Sequence, residues 1–136
     1  MNIFINQDRT LADIAFEFNH YFPFLKIGFF KYPHAWLETS YLKDAIPLTN
    51  TVGNVCDLRK NVIIEIHYWQ KTGTVEKIFK DKAGLNVQIF RKQGYQWIQT
   101  NGTDVLSLEE QNQIGKMYTE DLLHGNNTSI EIEKKL

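Results

Sequence analysis

The feature that most constrains this chain is one order of hydrophobic periods that occurs twice. In the first pass Ile3 and Ile5 alternate with Phe4 and Asn6, the period of a strand. Thr10 then stands where a helix N-cap would, with Asp13 three residues on, where an acidic group suits the helix dipole. Leu11, Ile14, Ala15, Phe18 and Phe22 fall on one helical face, Pro23 closes the segment, and Leu25, Ile27 and Phe29 restore the alternation. In the second pass Val62, Ile64, Ile66 and Tyr68 alternate. Thr74 follows as a cap, Val75, Ile78, Phe79 and Ala83 form a helical stripe, Gly84 stops it, and Leu85, Val87 and Ile89 alternate again. The later strands align at an offset of sixty (Leu25 with Leu85, Ile27 with Val87), and the caps at sixty-four (Thr10 with Thr74, Ile14 with Ile78). The difference is close to one helical turn of ~3.6 residues, so the spacing predicts two related strand-helix-strand units, the first with a helix one turn longer.

These units, about 1–31 and 62–92, are expected to share one mixed sheet in a single α+β domain spanning 1–125. The connector 32–61 carries Trp36, Tyr41, Leu42, Ile46 and Leu48 and should pack on the sheet. A hairpin over 86–99 with Gln93-Gly94 as its loop would set Ile89 opposite Ile98 and Phe90 opposite Trp97. Ser107 and Glu110 form a capping box that opens a last helix over about 107–124, on the other sheet face or an edge. Residues 126–136 are expected to be a disordered tail or an edge strand.

A chain of 136 residues with 43% hydrophobic side chains is long enough for one core without staples, and Cys56, its only cysteine, cannot form an internal disulfide. Fifteen basic against sixteen acidic residues leave no field to draw in a polyanion, which argues against a nucleic-acid partner. No apolar run approaches the ~20 residues of a membrane helix and no signal segment precedes Asp8, so a cytoplasmic protein with no membrane contact is expected.

The stretch from Gly84 to Lys92, with Gly94, Trp97, Thr100, Thr103, Asp104 and Leu106 to Gly115, resembles a family of small bacterial proteins to which no activity is assigned. Phe22 to Lys26 and Phe29 to Lys31 look like the matching part of that family's first half. The resemblance covers most of residues 10 to 115, patchily through the middle. It implies a self-standing domain and transfers no substrate and no catalytic residue.

The residues themselves hold no phosphate loop, no triad signature and no zinc-ligand spacing, so no cofactor or metal and no catalytic residue is expected. Two kinds of place remain. Phe30, Trp69, Phe90 and Trp97 would lie on the sheet face away from the two repeated helices. Covered by the connector and the last helix they make a second core layer; uncovered, they or a sheet edge would serve a protein partner or a homodimer. That non-enzymatic binding or assembly module is the first functional expectation. The alternative is a small-ligand-binding protein or enzyme with a pocket near Glu65, His67 and the His34 to Glu38 loop, because Glu65 and His67 point the same way from one strand. Single-strand nucleic-acid binding on the aromatic face ranks third. His20 and His124 sit at helix ends, where a cation meets the dipole favourably.

Overall fold

The computed structural model describes residues 1–34 and 40–124. Strand β1 (Asn2–Ile5), helix α1 (Leu11–Tyr21) and strand β2 (Leu25–Phe30) come first. A short 3-10 turn (Leu42–Asp44) and a single-turn helix α2 (Val52–Val55) occupy the connector. Strand β3 (Val62–Glu65), helix α3 (Thr72–Ala83), strands β4 (Asn86–Gln93) and β5 (Gln96–Gln99), and helix α4 (Leu108–His124) complete the α+β domain. Among the described residues no helix is long and apolar enough to cross a membrane.

The strands form two antiparallel sheets, β1-β3 and β2-β4-β5, rather than one mixed sheet. β1 pairs with β3, and β2 with β4, which also pairs with β5. That choice sets buried residues opposite buried residues, Ile3 against Ile64 and Ile27 against Ile89, which is where sheet pairing gains most. In β2-β4 the central pair is Gly28 with Gln88, sixty residues apart, the same offset that aligns the two strands in sequence.

Thr10 caps α1 as expected, its Oγ1 accepting from the Asp13 N–H at 3.1 Å. Helix α3 departs from expectation. It starts at Thr72, not after Thr74, so α1 and α3 have 11 and 12 residues and the first helix is not one turn longer. No side chain caps α3. Instead the Thr72 and Gly73 N–H groups donate to Leu106 O and Asp104 O at 2.8 and 3.0 Å, and Thr72 Oγ1 donates to Leu106 O. The same bonds hold α1, where Leu11 N and Ala12 N donate to Asn50 O and Leu48 O. They are returned alike: Val52 N and Gly53 N donate to Arg9 O and Gln7 O, as Leu108 N and Glu109 N donate to Gln70 O and Tyr68 O. Orphan donors of four helix starts are thus met by main chain. The buried stripes align at one offset throughout: Leu11 with Thr72, Ile14 with Val75, Ala15 with Glu76, Phe18 with Phe79.

The hairpin is shifted by two residues from the expected register. Its loop is Gly94-Tyr95, with Gly94 at φ 66°, and Lys92 faces Trp97 while Phe90 faces Gln99. A two-residue slip keeps every side chain on its expected face. Ser107 and Glu110 form the expected capping box, with reciprocal 3.1 Å bonds. Helix α4 buries Leu108, Gln111, Gly115 and Tyr118, and an ideal Cβ on Gly115 would lie 3.1 Å from Arg91 Cγ and 2.9 Å from Phe24 Cβ. Arg91 shares its side of β4 with Val87 and Ile89, so α4 docks on the same sheet face as α1 and α3. The expected placement on the far face is not observed. Ile46 in the connector packs against the core, but Tyr41 and Leu42 are exposed and Leu48 is 41% exposed, so the connector is less buried than its composition suggests. Trp36, Glu38 and the tail 126–136 lie outside the described residues, as does the side chain of His124.

Candidate functional site

Of the four aromatics expected on one sheet face, Trp69 lies beyond β3 of the other sheet and is exposed, while the face that carries Phe30, Phe90 and Trp97 is largely closed. Phe30 and Phe90 are only 4% and 7% exposed, their rings stacked at 6.4 Å between centroids. They meet across Gly28, where a Cβ would approach the Phe90 ring to 2.9 Å. The Lys26 ammonium sits 5.3 Å from the Phe90 centroid and 5.0 Å from that of the half-buried Trp97. Burial pushes the Lys26 pKa down. A base or side chain seeking these rings would have to displace that amine. Ser40, at the end of the described connector, bonds to Gln88 and Gln99 on the same face.

Glu65 and His67 do meet, Nε2 to Oε1 at 3.0 Å, and the imidazole stacks on Trp69 with centroids 5.2 Å apart. The group is open to solvent, with Trp69 61% exposed. Neither residue lines the cleft that contains His34. On the outer side of β1-β3 Phe4 and Ile63 face each other and are likewise exposed.

His34 is placed differently, and the reason lies in how β4 ends its partnership with β5. β5 pairs with Phe90 to Gln93 only. The Val87 and Ile89 backbone groups on that edge therefore need other partners. Thr100, turning off the end of β5, gives its N–H and Oγ1 to Ile89 O at 3.2 and 2.9 Å. The Ile89 N–H donates to Glu76 Oε2 at 2.8 Å, and His34 Nε2 lies 3.2 Å from Val87 O. Two side chains, one from α3 and one from the connector, complete the ladder. They lie 3.7 Å apart, Nε2 to Oε2.

Glu76 is 6% exposed, and its second oxygen, Oε1, is buried without a hydrogen-bond partner among the described residues. Burial pushes its carboxyl above the usual carboxylate range; the His34 hydrogen bond and charge and the Ile89 N–H pull the other way, while the charge of Asp104 adds to the rise. The two residues stand in a cleft of about 240 Å³ between α3 and the uncovered stretch of β4, with Pro33, Gly73, Lys77, Lys80, Asp81, Asn86 and Val87 around them. Lys77 pairs with Asp81 across one helical turn. Three roomier hollows, one beside Pro47 and Asn54, one beside Cys56 and Lys82 and one on the other side of His34 beside Tyr32 and Lys43, have no buried carboxylate among their described linings. Burial and the adjacent Asp57 push the Cys56 thiol up, which suits a passive side chain.

Sequence reasoning singled out His34 and missed Glu76. The available signal was its place one residue after Val75 in a stripe of Thr72, Val75, Phe79 and Ala83, where an acidic side chain is turned inward. Starting the helix at Thr74 hid that stripe. Among the described residues no group of three or more His, Cys, Asp and Glu could hold a metal ion. Compared with protein-family models, with curated proteins and with solved structures, the chain matches none.

Proposed function

We propose that this domain binds a small molecule in the cleft between α3 and β4, with Glu76 and His34 as its polar anchor. The observation that carries this reading is the buried Oε1 of Glu76, which has no hydrogen-bond partner among the described residues. Leaving such an atom without a partner costs about 1–3 kcal/mol, a cost that a ligand hydrogen bond removes. The fold uses only one of the two oxygens: Oε2 accepts the Ile89 N–H, while Oε1 makes no hydrogen bond among the described residues, and on the reading that the two units follow one plan the corresponding position in α1 is Ala15. At about 240 Å³ the cleft is smaller than the usual site for a drug-sized ligand, which suits a compact molecule rather than a polymer. No hydroxyl or thiol stands among its described lining residues, so the pair is read as a binding element and not as the base of a nucleophile. The aromatic face supports a partner less well, because Lys26 already occupies its rings.

The test is a fragment screen by amide NMR shifts on the intact chain, using neutral and charged molecules of about a dozen non-hydrogen atoms or fewer. Perturbations clustering at His34, Glu76, Lys80 and Val87, and lost in Glu76→Gln, support the proposal. Hits that gather elsewhere, or that ignore the substitution, overturn it.

A further inference from the structure

Resting on that cleft reading, we infer that its ligand is amphoteric, with a cationic N–H donor at the buried end and an anionic group at the mouth, as in a linear ω-amino acid. The order of charges along the cleft argues for it. At the floor, Glu76 Oε2 accepts the Ile89 N–H and lies 3.7 Å from His34 Nε2, which is also 3.2 Å from Val87 O, and among the described residues no donor reaches Oε1, which leaves that oxygen for a ligand N–H. A cationic donor also offsets a carboxylate that burial and the neighbouring Asp104 destabilise. Midway, Pro33, Val87 and the lysine stems offer methylene contact. At the mouth Lys77 is paired with Asp81, while Lys80 has no ion-pair partner among the described residues. Glu76 and Lys80 are one turn apart on α3, a rise of ~6 Å, which a chain of about four or five carbon atoms spans. The charged groups that face Glu76 are His34 from the connector, Asp104 from the loop before α4, and Lys77, Lys80 and Asp81 around the same cleft.

The probes are 5-aminopentanoate and its two halves, pentylamine and pentanoate, titrated calorimetrically into the intact chain in buffers of different ionisation heat. The expected result is binding of 5-aminopentanoate about tenfold or more tighter than either half, with proton release as the ammonium draws Glu76 into its ionised form. Lys80→Ala, a change at an exposed position, should reduce the amino acid to the affinity of pentylamine, and Glu76→Gln should abolish the proton release. Pentanoate binding as tightly as the amino acid, with proton uptake, overturns the amphoteric assignment while leaving the cleft reading intact. So does failure of all three probes when fragments still map to the cleft. Failure of all three with no fragment at the cleft overturns both.

Discussion

Replacing Glu76 by Gln keeps an acceptor for the Ile89 N–H and removes the titration, which isolates the buried carboxyl as a stability element. The folded-state pKa is raised, chiefly by burial, so between the unfolded value of about 4.3 and the folded value the native state binds more protons than the unfolded one. Stability from this group is therefore full below pH ~4.3 and falls as pH climbs through the folded pKa, with a slope of at most ~1.4 kcal/mol per pH unit. For a chain of 136 residues that slope corresponds to roughly 5 °C in Tm per pH unit. The assay is Tm by circular dichroism for both proteins from pH 4.5 to 8, read as wild type minus Glu76→Gln so that the other carboxylates cancel. The difference should be greatest at the acid end, decline with pH and then level off. His34 pulls the carboxyl pKa down, so His34→Gln should extend the decline to higher pH. A flat difference curve, or one that rises with pH, would refute the assignment of Glu76 as a buried acid.

Two further substitutions test the frame that holds the site. Gly94→Ala puts a Cβ at positive φ and within 2.3 Å of Leu122 Cδ2, and should cost about 1–2 kcal/mol in urea unfolding, whereas Gly102→Ala, with nothing within 4 Å, should stay within ~0.5 kcal/mol. Gly28→Ala forces the Phe90 and Phe30 rings apart, with an expected cost of about 1–3 kcal/mol and a changed near-ultraviolet dichroism; an unaltered spectrum would show that the rings do not meet across Gly28.

What the chain discloses in advance depends on whether a decision is local. The Thr10 cap, the Pro23 stop and the Ser107-Glu110 capping box are decided within four residues, and each is seen where it was expected. The start of α3 is decided thirty-four residues away, by Leu106, and no local pattern announces it. The choice between one sheet and two is likewise a matter of which strands meet, since alternation fixes the face of Ile27 or Ile64 but not its partner. The site follows the same division. His34 stood out as a histidine after Pro33 in an irregular stretch, but its meeting with Glu76 depends on where β5 lets go of β4. Phe30, Phe90 and Trp97 do share a face, as their periodicity requires; Lys26, which closes it, shares β2 with Phe30, but its place over the Phe90 and Trp97 rings depends on which strands pair.

Main-chain bonds tie the starts of α1 and α3 to the loops that precede α2 and α4, with the Thr10 cap and the Thr72 hydroxyl added to them, so much of the hold at those joints does not depend on side-chain identity. Leu11 and Thr72, and likewise Ala15 and Glu76, differ in side chain while both helix starts keep the same pattern of main-chain bonds. A scaffold fastened by its backbone is permissive to drift. One helix can keep an apolar stripe while another carries an inward-facing acid, with the bonds at their starts unchanged.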